Sequence, residues 1–170
     1  MSGLDIFLIL AIVAMTVVGA TMGFGRAALT ALALFGSLWA ASASLPTVAG
    51  VVHIQSSGAA NQGDVFAMLC LAFGSVAVVV AKYVHGSLGI HAGMFDAFLG
   101  LCAGVAIGMM VAHGVVRTMT IADPDGQGEG GQVASGSVSH EMLEFTSFHS
   151  VMDTVTGAGT YRRSLPNVGG

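Results

Sequence analysis

The chain has 170 residues, of which 54% are hydrophobic and 8% are charged, and its formal net charge is −4. A soluble domain carries about 25% charged residues, so this composition excludes a water-exposed surface around a single core. The acidic balance provides no basic face to neutralise a run of phosphates, which excludes nucleic acid as a partner.

Four long apolar runs follow one another along the chain, and the few charges between Ile6 and Ile121 lie at their edges. The first run, if helical, would be about 28 Å long, close to the thickness of a bilayer core. No basic segment or small-residue cleavage site accompanies it, so we expect it to remain as a span. We predict an all-α integral membrane protein with about four transmembrane helices, at residues 4–22, 27–45, 65–81 and 95–116.

The connections between these runs differ in length. Residues 23–26 leave room only for a tight hairpin between the first two helices, and Pro46 is expected to end the second. Residues 46–64 are rich in Gly, Ser, Asn and Gln and are predicted to form an exposed loop. Arg26 and Lys82 lie on one side of the membrane and Arg117 on the other, which weakly favours a cytoplasmic location for the short hairpins.

The composition changes sharply after the fourth run. We divide the chain into a four-helix transmembrane domain (1–118), a Gly-rich acidic linker (119–138) and an amphipathic helix with a C-terminal tail (139–170). Ser139 is the expected N-cap and Gly157 the expected end of that helix. Its polar side is acidic, so docking on protein is favoured over binding to anionic lipid, through an apolar face of Met142, Phe145, Phe148, Met152 and Val155.

Small residues recur at helical spacing in three of the runs, and such residues let membrane helices approach closely. The fourth run carries the longest series, and shorter series occur in the first and second runs. They predict either ordinary packing within the bundle or a surface for oligomerisation and partner docking. The series are Gly100, Gly104, Gly108 and Ala112; Gly19 and Gly23; and Gly36, Ala40 and Ser44.

Few residues could support chemistry. Asp5 and Asp96 stand in the first turns of their helices, where capping explains a carboxylate, and His113 lies within reach of interfacial water. Cys70 and Cys102 are expected to be small buried hydrophobes. We therefore expect no enzymatic activity, no cofactor and no metal. A weaker alternative is a metal site in the tail formed by His140, Glu144 and His149.

Three motifs in order resemble the colicin V production protein (CvpA) family over residues 4–116. They are Leu4-Asp5-Ile6, Gly23-Phe24-Gly25-Arg26-Ala27-Ala28, and Asp96 followed by Leu99-Gly100, Gly104 and Gly108. The resemblance implies a multi-pass protein of the bacterial inner membrane, linked to colicin V production and envelope maintenance, with Asp5, Phe24, Arg26 and Asp96 as motif positions. The chain departs from the family pattern at Met22, Ala27 and Ile107, where charged residues are usual.

Two functions of different classes follow. The first is a non-catalytic scaffold or accessory subunit in the lipid bilayer, whose glycine ridges and C-terminal helix bind other membrane proteins or copies of itself. The alternative is a channel or exporter component formed by several copies around a polar path.

Overall fold

The computed structural model describes residues 2–56, 58–90, 92–126, 131, 133 and 136–144. This part of the chain contains helices and no strand. The helices are α1 (Gly3–Met22), α2 (Phe24–Ala49), α3 (Gly58–Leu88), α4 (Asp96–Ala122) and α5 (Ser137–Glu144), with a short 3-10 turn at Gly93–Phe95 before α4. The first four helices are long and apolar enough to cross a membrane. The prediction of a multi-pass α-helical membrane protein is confirmed.

Several predicted helix boundaries were wrong. Helix α2 continues through Pro46 to Ala49, because its last turns pack against the buried Val65 and Phe66 of α3. Helix α3 begins within the predicted loop, at Gly58, and runs past Lys82 to Leu88. Its 31 residues give about 46 Å of helix, which exceeds the roughly 30 Å hydrocarbon core, so its polar ends extend beyond it. Helix α4 likewise continues past Arg117 to Ala122.

The helices form two antiparallel pairs, α1 with α4 and α2 with α3, and α2 also packs against α4. The α1–α2 and α3–α4 connections therefore lie at one end of the bundle, which we call the hairpin end. The opposite end, which we call the α5 end, carries α5 and the N-terminus of α1. One core cluster at this end joins Leu4, Leu8, Ala112, Val116, Val133 and Met142.

The segment predicted as a linker is partly built into the fold. Residues 119–122 belong to α4, and Val133 is buried in the cluster at the α5 end. Helix α5 begins at Ser137, so Ser139 lies in its first turn and is not the N-cap. Phe145, Phe148, Met152, Val155 and Gly157 lie outside the described residues, so the predicted longer amphipathic helix stays a prediction.

Candidate functional site

The contact between α1 and α4 is made by glycines that leave no room for side chains. A Cβ added at Gly104 would lie 2.6 Å from the Met15 carbonyl oxygen, and one at Gly108 would lie 2.7 Å from the Cα of Ile12. A Cβ at Gly19 would lie 2.5 Å from the Gly100 carbonyl oxygen. The two backbones therefore touch over about three turns. The glycine series of the fourth run faces α1 inside the bundle, with Ala112 buried at its end.

The Asp5 carboxylate caps two helices at the α5 end. Its Oδ2 accepts a hydrogen bond from the Ser2 backbone N–H at 3.1 Å, and Ser2 Oγ accepts one from the Asp5 N–H at 3.1 Å. This reciprocal pair is a capping box. Its Oδ1 accepts from the backbone N–H groups of Val138 at 3.2 Å and Ser139 at 3.1 Å. Asp5 thus ties the first turn of α5 to the start of α1.

The side chain of Asp5 is fully buried, and Ser139 is buried beside it. Ser139 Oγ lies 3.1 Å from the Val133 carbonyl oxygen and 3.3 Å from Asp5 Oδ1, and its single hydroxyl proton serves one of these acceptors. An added Cβ at Gly136 would collide with Ser139 Oγ. This packing gives the glycine just before α5 a steric role. Capping of α1 by Asp5 was anticipated from the sequence, whereas capping of α5 was not.

Asp96 performs the corresponding role at the hairpin end. Its Oδ1 accepts hydrogen bonds from the backbone N–H of Phe24 at 3.2 Å and of Ala92 at 3.0 Å. Phe24 is the first residue of α2, so the carboxylate at the start of α4 caps a different helix. Capping was the expected role of Asp96, but its partner could not be read from its position in α4.

Two glycines of the Gly23-Phe24-Gly25-Arg26 motif are explained by close contacts. Gly23 is the single residue between α1 and α2 and has φ +77° and ψ 161°, a region that only glycine occupies easily. An added Cβ there would collide with Asp96 Oδ2, and one at Gly25 would collide with the Ile90 carbonyl oxygen. The glycines of this motif therefore let the α1–α2 and α3–α4 connections pack closely against each other at the hairpin end.

Two further polar residues hold backbone groups at the α5 end. His113 Nδ1 lies 2.7 Å from the Met142 carbonyl oxygen, a contact in which the protonated Nδ1 donates to α5. Asn61 is buried, accepts from Ile54 N–H at 2.6 Å, and donates to the Val52 carbonyl at 2.9 Å. Asn61 was not among the residues predicted from the sequence. An amide side chain in the first turns after a polar loop is the signal that could have found it.

The outward face of α2 presents large apolar side chains around a bare glycine. A Cβ at Gly36 would meet nothing within 4 Å. Leu32, Phe35 and Trp39 surround it and are 70%, 61% and 71% exposed. The small-residue series of the second run therefore differs from the series in α4, because its glycine lies on the outside of the bundle.

A groove of about 890 Å³ runs between the four transmembrane helices. Helices α2 and α4 form its floor, with Leu34, Leu38 and Ile107 among the lining residues. Helices α1 and α3 form its walls, and the wall residues Leu71, Ser75 and Val78 of α3 are exposed. The groove therefore opens sideways toward the surroundings of the bundle.

Comparison with family models shows to which protein family the chain belongs. The model described as colicin V production protein matches residues 4–150. The chain belongs to the colicin V production protein family. Neither the comparison with curated proteins nor that with solved structures found a match.

The colicin V production protein family is not a known enzyme family. The match extends the resemblance seen over residues 4–116 into the tail, through α5. Three of the family-motif residues, Asp5, Phe24 and Asp96, form hydrogen bonds that join separate helices. The fourth, Arg26, is half-buried, and its side chain makes no hydrogen bond or ion pair within the described part of the chain.

The suggested tail metal site stays untested. Across the described residues no group of three His, Cys, Asp or Glu side chains converges to hold a metal ion. His140 is exposed on α5, His149 lies outside the described part, and the side chain of Glu144 is not described.

Proposed function

We propose that this colicin V production family member is a non-catalytic scaffold or accessory subunit of the bacterial inner membrane, which binds another membrane protein or a second copy of itself. The observation that carries the proposal is the outward face of α2 at Trp39. Trp39 is 71% exposed, and its indole N–H makes no hydrogen bond within the described part of the chain. In hydrocarbon such a donor is left without water.

The depth of Trp39 strengthens this argument. Trp39 is ten residues from the end of α2 at Ala49, about 15 Å along the helix, which is deeper than the headgroup level where Trp is usually found. Gly36 lies one turn away and lets another helix approach the backbone closely. A partner helix with a hydroxyl or carboxylate acceptor would satisfy the indole and cover Leu32 and Phe35.

The carboxylates support a role without catalysis. The carboxylates of Asp5 and Asp96 both accept hydrogen bonds from backbone N–H groups at helix ends. Such bonds hold the bundle together and leave these acids committed to structure.

The alternative of a channel or exporter component has less support, because the groove between the helices is lined mainly by apolar side chains. Its hydroxyls at Thr30, Ser37 and Thr118 each donate to a carbonyl of their own helix at 2.8 Å. A permeating ion would find few oriented dipoles there. Ion flux through liposomes that contain the purified chain alone would favour the channel.

The docking face can be tested by photo-crosslinking in native membranes. A photoreactive amino acid replaces Trp39 in one variant and Val79, a 52% exposed residue of α3, in the control. We expect a discrete protein adduct from position 39 and lipid adducts from position 79. Gly36→Leu should abolish the adduct, whereas Gly86→Leu, at another open glycine, should not. Equal adducts at both positions would remove the basis for the scaffold.

A further inference from the structure

The groove between the helices is suited to an apolar chain. Its hydroxyls are already bonded within their own helices, including Ser75 Oγ, which donates to the Leu71 carbonyl at 2.6 Å. Four methionines line it, and their flexible side chains adapt to an irregular apolar occupant. The methionines are Met15, Met22, Met110 and Met119.

The open side of the groove indicates where an occupant comes from. Leu71 is 73% exposed and forms part of the α3 wall, so the groove communicates with the bilayer. A transmembrane helix is about 10 Å across and needs small residues at its contact. Bulky side chains such as Leu71 and Val78 line this wall, and a lipid acyl chain fits between them better than a helix.

The charges at the two ends of the groove differ. Arg26 precedes the groove residue Thr30 by four positions on α2, and Lys82 follows the groove residue Val78 by four positions on α3. Because residues four apart share a helix face, Arg26 continues the groove floor and Lys82 continues its α3 wall at the hairpin end. Neither forms an ion pair within the part of the chain that the structure describes. Asp96 also lies at the hairpin end, where its Oδ1 accepts hydrogen bonds from the Phe24 and Ala92 N–H groups.

The α5 end carries more acidic than basic residues. Arg117 lies there over the Phe66 ring, 5.8 Å from its centroid, and is the cation nearest to the groove residue Thr118 in the chain. Acidic residues share this end, including Asp64 beside Gln55 and Asp123 after α4. An anionic headgroup is therefore favoured at the hairpin end and disfavoured at the α5 end.

We propose that the groove binds a phospholipid with an anionic headgroup, taken from the surrounding bilayer. Its acyl chains occupy the groove and its phosphate lies between Arg26 and Lys82. An Arg guanidinium and a Lys ammonium are the usual protein donors to phosphate. The groove residues Thr30, Leu34, Ser37 and Leu38 lie on the face of α2 opposite Trp39, so this site is independent of the proposed docking face.

Native mass spectrometry of the full chain, purified in detergent, tests the site. The chain is incubated with equal amounts of phosphatidylglycerol and phosphatidylcholine that carry the same acyl chains. We expect preferential retention of phosphatidylglycerol, by about fivefold for each cation, the size expected of one basic residue near an anionic headgroup. Arg26→Gln together with Lys82→Gln should reduce its retention to that of phosphatidylcholine. Arg117→Gln is the matched charge control and should keep the preference.

Filling the groove separates this site from adsorption at the surface. Gly74→Leu should lower the retention of both lipids, because an added Cβ there lies 3.6 Å from Leu34 Cδ2, at ordinary contact distance. Ser75→Leu, on the exposed wall, repeats the test if the first variant does not fold. Equal retention of the two lipids by the unmodified chain would overturn the proposal. So would a preference that survives loss of both cations, or retention unchanged by the groove variant that folds.

Discussion

Asp5 Oδ1 accepts a hydrogen bond from the backbone N–H of Ser139 at 3.1 Å, across 134 positions of sequence. The same carboxylate holds the first turn of α1 through Ser2. Both interactions place a negative charge at a helix N-terminus, where unpaired N–H groups and the helix dipole favour it. One side chain therefore joins the segment after α4 to the start of the bundle, in addition to the cluster around Val133 and Met142.

Replacing Asp5 should release α5 without dispersing the four long helices. For Asp5→Ala we expect amide hydrogen exchange at Val138 and Ser139 to become at least about tenfold faster, because buried donors lose a charged acceptor. Exchange measured by mass spectrometry on the purified protein checks this. Asp125→Ala removes an exposed acid and should leave exchange unchanged. Unaltered protection in Asp5→Ala would contradict the capping of α5.

The glycines between α1 and α4 should be far more sensitive than the outward glycine of α2. Gly104→Ala places a Cβ 2.6 Å from the Met15 carbonyl oxygen, and such overpacking costs about 1–3 kcal/mol or more. Gly36→Ala adds a Cβ in open space and should not destabilise the bundle. Thermal unfolding in detergent, followed by size-exclusion chromatography, compares the two. Equal midpoints would show that the helix contact tolerates a methyl group.

Gly23 and Asp96 should show coupled effects. Gly23→Ala introduces a collision with Asp96 Oδ2 and a backbone conformation that costs about 1–3 kcal/mol outside glycine. Asp96→Ala removes the acceptor for the Phe24 N–H but also relieves that collision. The double variant should therefore be more stable than the sum of the single losses predicts. Strict additivity in a double-mutant cycle of unfolding free energies would argue against the contact.

The distribution of basic residues predicts the orientation in the membrane. Arg26 and Lys82 at the hairpin end outnumber Arg117 at the α5 end, so we expect the hairpin end to face the cytoplasm. In a Cys70→Ala and Cys102→Ala background, an impermeant maleimide should label Ser56→Cys in spheroplasts and reach Ser87→Cys only after permeabilisation. Both serines are exposed, at opposite ends of α3. The reverse labelling pattern would invert the topology.

The number and class of helices could be predicted from sequence because hydrocarbon permits few alternatives. A run such as residues 4–22 must satisfy its backbone internally, and apolar length alone identifies it. Helix ends were less predictable. Pro46 was expected to stop α2, but packing against Val65 and Phe66 sustains the last turns. Polar residues before Val65 belong to a helix that extends beyond the hydrocarbon, where sequence polarity no longer distinguishes helix from loop.

The partners of individual residues were harder to predict than their positions. The spacing of Gly100, Gly104 and Gly108 indicated a close helix contact, but no pattern within α4 names α1 as the neighbour. The series at Gly36, Ala40 and Ser44 has similar spacing, but its glycine lies on the outside of the bundle. Asp96 was placed correctly at a helix start, but its bond to Phe24 depends on how two distant connections meet. Tertiary pairing of this kind has no local signal in one sequence.

The single residue between α1 and α2 limits how the bundle can move. Sliding one of these helices along the other by a turn would need about 5.4 Å of slack, and Gly23 alone cannot provide it. A pivot about the Gly23 dihedral angles is also restricted, because Asp96 at the start of α4 accepts a hydrogen bond from the Phe24 N–H and α1 is held to α4 through backbone contacts. The short connection therefore keeps α1, α2 and α4 in one fixed arrangement at the hairpin end.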